Sequence, residues 1–237
     1  MSAHSPAVLV AANRAATVET VLRWMIHDFR NPLQALAFLP VLTETAGGDS
    51  EGSGTIGSDA FATACERLTT SLALVERLVG LASRSGAPEP VALGEVLQFL
   101  AELFSARRGR FRVEVEAARR LSLPAVSVVR PSLEAALLNL MLNAAEAAGQ
   151  GAVTLTATAS ARPGGVELVL QDGGPGVPES LRPWLFEPFA TSLSDRPTRG
   201  LGLYAARHLL AQGGGDIRYE AASPGSRFIV SLPEWRA

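Results

Sequence analysis

Residues 133–148 constrain the fold more than any other stretch of this chain. Written as a helix, the segment is apolar on nearly every side, with Leu137, Leu138, Leu140, Met141 and Leu142, and a helix of that kind belongs inside a protein. Polar side chains interrupt it. Asn139, Asn143 and Glu146 stand at i, i+4 and i+7 and form one stripe. Polar groups in so apolar a helix need partners. Amide oxygens in line with a carboxylate suit a hard cation such as Mg2+, which keeps several waters and takes few protein ligands; the alternative is a stripe facing water.

The pattern around this helix changes character at residues 85–90 (SGAPEP), a Pro- and Gly-containing linker. Before it the periodicity is helical. A first helix is expected over residues 8–45, bent at Pro32, then a loop over residues 47–57 (GGDSEGSGTIG) with Ser58 or Asp59 as N-cap of the next helix. That second helix carries Phe61, Cys65, Leu68, Leu72, Val75, Val79 and Ala82 in alternating steps of four and three, a coiled-coil seam. With Leu74, Leu78 and Leu81 on adjoining faces, two helices alone cannot cover their apolar surface, and dimerisation into a four-helix bundle would. The alternative is packing on the rest of the same chain.

After the linker, helices and strands mix. Strands are expected at 91–93, 110–116, 126–129, 153–159, 166–171, 217–220 and 228–232, and helices at 94–107, 132–148 and 200–212. Hairpins such as the one at Arg162-Pro163-Gly164-Gly165 imply a mixed sheet with helices on one face. The fold class is therefore α+β: an N-terminal helical hairpin, residues 1–86, followed by an α/β sandwich, residues 87–237.

Composition narrows the partners. The 237 residues are 47% hydrophobic, enough for a real core, and the net charge of −2 comes with no run of Lys or Arg that could track a phosphate backbone. Nucleic acid is not expected as a partner. The short apolar run at residues 7–12 has no basic residue ahead of it and is far below the roughly 20 residues that span a bilayer, so no membrane segment is expected. The single cysteine, Cys65, cannot form an internal disulfide, and a cytoplasmic location fits.

Three further stretches carry chemistry. On the first helix, His27 points away from the apolar side formed by Val18, Leu22, Met25, Ile26, Phe29, Leu33 and Leu36, and has Asp28 beside it. A solvent-facing imidazole with one nitrogen restrained by a carboxylate keeps the other free to attack an electrophile. Residues 171–177 (QDGGPGV) follow a strand, so Asp172 can accept a hydrogen bond from the amino group of a bound base while the glycines let backbone approach a flat ligand. Residues 198–203 (TRGLGL) open a helix whose free N–H groups can receive phosphate oxygens.

In this order the stretches resemble the sensor histidine kinases of two-component signalling, along nearly the whole chain. Residues 27–33 (HDFRNPL) resemble the phosphoacceptor box, 139–147 (NLMLNAAEA) the asparagine box, and 172–177 (DGGPGV) the first glycine box. Residues 185–189 (LFEPF) resemble the phenylalanine box, 200–203 (GLGL) the second glycine box, and 225–228 (GSRF) the glycine turn before the last strand. The resemblance implies an ATP-binding domain shared with gyrase, Hsp90 and MutL. Asp172 would recognise adenine, with Gly174 and Gly176 in the same box. Asn143 would ligate Mg2+ with Asn139 close by, Gly200, Leu201 and Gly202 would meet the phosphates, and residues 190–199 would form a lid. It further implies that His27 takes the γ-phosphoryl group, that Asp28 acts as its base, and that Asn31 positions water in phosphatase turnover. A dimer is implied, with a receiver domain of a response regulator as partner and a sensory partner that the sequence does not identify.

Two rivals are weighed against this reading. An ATP hydrolase of the same fold needs a glutamate where Asn139 stands, and an amide cannot take a proton from water. A histidine phosphotransfer protein would relay phosphate without using ATP, and the set Asn143, Asp172, Gly200 and Gly202 argues against it. The sequence departs from the resembled pattern at Thr198, where glycine is usual, and at Leu193, where lysine is common. Arg196 or Arg199 is expected to supply the missing positive charge. Replacing both by alanine should raise the KM for ATP in a steady-state assay; unchanged kinetics would dismiss that role.

Overall fold

The computed structural model describes residues 5–45, 53–83, 86–105, 111–115, 123–147, 153–191 and 200–236. Two long helices come first, α1 (Pro6–Thr45) and α2 (Ser53–Ser83). The chain then runs through β1 (Glu89–Val91), α3 (Leu93–Ser105), β2 (Phe111–Val115), β3 (Val126–Val128) and α4 (Arg130–Ala147). It closes with β4 (Val153–Arg162), β5 (Gly165–Asp172), α5 (Gly202–Ala211), β6 (Asp216–Ala221) and β7 (Ser226–Pro233). No helix among the described residues is long and apolar enough to cross a membrane.

Two compact units divide the chain, residues 1–18 with 80–237, and residues 19–79. These differ from the division expected at residue 86, because the first turns of α1 and the end of α2 group with the α/β unit.

In the larger unit, five strands form one sheet in the order β2-β4-β5-β7-β6, and β1 pairs with β3 separately. β2 runs parallel to β4, and every other pairing in the sheet is antiparallel, the mixed sheet that the hairpin signals implied. Register fixes which side is buried. Val166 pairs with Leu232, Leu168 with Val230 and Leu170 with Phe228, and all six are buried. Ala157 and Ala159 continue that row onto β4, and Ile217 onto β6. On the opposite face, Glu167 bonds Arg162 at 3.1 Å and Arg218 at 3.3 Å, and these guanidiniums hold its carboxyl below the usual range. The β4–β5 hairpin closes on Pro163 and Gly164, whose φ of 79° only glycine adopts without strain.

Helices cover the apolar row. α4 packs on α5, α3 and β4, and α5 on β6. Thirteen residues of α4 are buried, as a helix apolar on nearly every side requires. Pro131 stands at the start of α4, where its missing N–H costs no hydrogen bond, so it opens the helix two residues ahead of the expected start.

The smaller unit comprises the remainder of α1 and most of α2. α2 begins at Ser53, inside the stretch expected as a loop, so neither Ser58 nor Asp59 is its N-cap. Propagating an established helix gains one hydrogen bond per residue fixed, which carries it through Gly54 and Gly57 despite their poor propensity. Val21, Met25, Ala64 and Leu78 are buried, whereas Phe61, Leu72 and Val79 are exposed and Cys65, Leu68 and Val75 half-buried. The expected seam thus faces outward in a single chain. Ile26 and Leu33 of α1 are exposed as well. α1 is helical through Pro32 without interruption; the side chains of Phe29, Leu36 and Ala82 lie outside the described residues.

Leu168 is fully buried at the centre of the sheet. Leu168→Ala should destabilise the protein by about 2–5 kcal/mol, read as a lower urea midpoint at unchanged slope.

Candidate functional site: α4, the end of β5 and the start of α5

Asp172 owes its position to strand parity. It follows Val166, Leu168 and Leu170 at every second place along β5, so its carboxylate points to the buried side, where it is 4% exposed. One of its oxygens accepts a hydrogen bond from the Gly174 N–H at 2.8 Å, which folds residues 172–174 back at the strand end. A side chain at Gly174 would press on that same oxygen and on the Ala147 methyl group of α4. Behind it, Gly225 lies so close that a Cβ there would collide with the Asp172 carbonyl. The glycine turn before β7 therefore backs the carboxylate.

The stripe on α4 passes from core to surface. Asn139 is buried, Asn143 half-buried and Glu146 exposed, so only its last member faces water freely. α4 links the Asp172 loop to the start of α5. Ala147 lies against the Asp172 loop, while the Asn139 Oδ1 lies 3.6 Å from where a Gly202 side chain would start. Those two points are ~12 Å apart at 1.5 Å per residue.

Gly200 and Gly202 sit at the start of α5, with Leu201 buried between them. Gly200 has φ of 77°, and a Cβ on it would strike the Phe189 backbone. The Phe189 N–H donates to the Gly200 carbonyl at 2.9 Å, so the two ends of the intervening segment are joined. Leu193, Arg196, Thr198 and Arg199, within the expected lid, lie outside the described residues. So do the side chains of His27, Asp28 and Asn31, although all three positions are helical in α1.

Asn13 and Thr17 are site residues that the sequence reading missed. Both are buried. Asn13 Nδ2 donates to Asn139 Oδ1 at 2.9 Å and Thr17 Oγ1 to the same oxygen at 3.0 Å. The Asn139 Nδ2 donates to the Ala135 carbonyl. Alongside, Arg14 Nη2 donates to Ser132 Oγ at 2.9 Å, and that hydroxyl donates to Gln212 Oε1 at 2.7 Å. Burial lowers the pKa of Arg14. Two polar residues four apart within an otherwise Ala- and Val-rich helix were the signal available, the same kind of stripe that marked α4.

Residues 128–236 match the model of the histidine kinase-, DNA gyrase B-, and HSP90-like ATPase family. The relatives of the chain are sensor histidine kinases. The chain is 31% identical, over 94% of its length, to the C4-dicarboxylate transport sensor protein DctB of Rhizobium meliloti. It is 28% identical, over 92% of its length, to the sensory histidine kinase/phosphatase NtrB of the same organism. The chain spans 36% of DctB and 59% of NtrB. A solved structure of the mycobacterial sensor histidine kinase MprB superposes with a TM-score of 0.51 at 29% identity, covering 63% of this chain and 99% of that one.

The glycines divide by what they touch. Gly225→Ala should lower the unfolding midpoint, a cost of about 1–3 kcal/mol, whereas Gly173→Ala, with open space around it, should leave the midpoint unchanged.

Proposed function

We propose that this chain is an ATP-dependent protein-histidine kinase that phosphorylates its own His27 and passes the phosphoryl group to an aspartate of a response-regulator receiver domain. The observation that carries the reading is a buried carboxylate beside one end of α4 and a glycine helix start beside its middle, joined by the polar stripe of that helix. The relatives' description as sensor histidine kinases supports it.

Within this reading, Asp172 accepts a hydrogen bond from the adenine amino group. Its own bond from Gly174 N–H occupies only one of its oxygens, which leaves acceptor capacity for the ligand. The N–H groups at the start of α5 receive phosphate oxygens. Asn143 fits a Mg2+ ligand, since it offers a neutral oxygen and is half-buried, hence reachable. The cation would neutralise charge on the triphosphate. Asp28 withdraws the proton that His27 loses as its free nitrogen attacks phosphorus in line, and Asn31 positions water when the phospho-aspartate of the partner is hydrolysed.

The outward stripe of Ile26, Leu33, Phe61, Leu72 and Val79 supports a homodimer, because that much apolar surface on two helices is covered best by a second copy. A cytoplasmic location and an input from a separate sensory partner complete the proposal.

Incubation of the purified chain with γ-labelled ATP and Mg2+ tests it. Label on the protein that is acid-labile, base-stable and absent from His27→Ala is the expected outcome. Transfer from a phosphorylated receiver without labelling from ATP would indicate a relay, and phosphate release without protein labelling a hydrolase.

A further inference from the structure

We propose that the first turns of α1 latch the phosphate end of the candidate site, and that Asn13 and Thr17 must release Asn139 before a nucleoside triphosphate can engage it. The inference rests on the proposed reading of that site as a nucleotide site. A carboxamide oxygen has two lone pairs. Those of Asn139 are taken by Asn13 Nδ2 and Thr17 Oγ1. The Asn13 amide also donates to Thr17 Oγ1 at 3.3 Å, so the three side chains close on one another. All three are buried, and the oxygen they enclose is the one beside Gly202, at the helix start that receives phosphates. No acceptor capacity remains on Asn139 for a water, a cation shell or a ligand donor. A second link reinforces the contact, from Arg14 through Ser132 to Gln212 just past the end of α5.

The latch is local to one end. Among the described residues, Asp172 and Gly174 make no bond to α1, and the Gly174 N–H holds the Asp172 carboxylate with the latch closed. The latched state therefore accepts the adenosine portion of the ligand and disfavours the triphosphate. Asn13 and Thr17 lie on the same helix as His27, preceding it by 14 and ten residues. A signal that shifts α1 would act on nucleotide access and on the phosphoacceptor helix at once.

Calorimetric titration of the full chain with Mg-ATP and, separately, with adenosine tests the latch. The double variant N13A/T17A should bind Mg-ATP about tenfold more tightly than the unaltered chain, in line with removal of two buried hydrogen bonds, while adenosine affinity stays the same. Thr17→Val, which preserves shape and removes only the hydroxyl, should give a gain of a few fold. Equal Mg-ATP affinity in all three proteins, or parallel gains for ATP and adenosine, would overturn the latch and leave the nucleotide site standing. No nucleotide binding by any of them would overturn both. In the unaltered chain, saturating Mg-ATP should speed amide hydrogen exchange over residues 8–18 and adenosine should not; unchanged protection with Mg-ATP would also overturn the latch.

Discussion

The inner face of the β4–β5–β7–β6 ladder is a continuous apolar row, and covering it is the constraint from which the rest of the larger unit follows. Because side chains alternate along a strand, the residues that make the row are set once register is set. Leu168 and Val230 face each other at its centre. A one-residue slip would turn the row to water and the polar side, with Glu167 between Arg162 and Arg218, inward. Covering the row requires helices apolar enough to be buried, and α4 meets that need along nearly its whole circumference.

The candidate site is a by-product of the same packing. Asp172 is the last inward position of β5, so the parity that buries Leu168 and Leu170 also buries a carboxylate at the strand end. A buried acid is costly unless hydrogen-bonded, and the Gly174 N–H meets that need. On α4, the polar stripe grades from buried Asn139 to exposed Glu146, which places the amides between core and solvent. Close backbone approaches at Gly200 and Gly225 hold the two ends. The candidate site thus sits where the packing of sheet and helices runs out.

The smaller unit follows a different logic. Its helices bury Val21, Met25, Ala64 and Leu78 and leave a second apolar stripe outside. The sequence showed the stripe but not its direction, because seam and adjoining face have similar hydrophobic content. Burial separated them.

Much was legible in the linear pattern: the order of helices and strands, the Arg162–Gly165 hairpin, the mixed sheet, and the polar and glycine positions of the candidate site on α4, at the end of β5 and at the start of α5. Those features are local, set by periodicity, turn residues and spacing within one element. Element ends were less so: α2 reaches back through two glycines, because propagation outweighs propensity there. The association of residues 1–18 with the α/β unit was not legible at all. Nothing local ties Asn13 to Asn139, 126 positions away. The sequence by itself determined which polar side chains interrupt an otherwise apolar helix; only the tertiary structure decided that one of them, Asn139, is already engaged, because hydrogen bonds between distant segments depend on how buried surfaces meet.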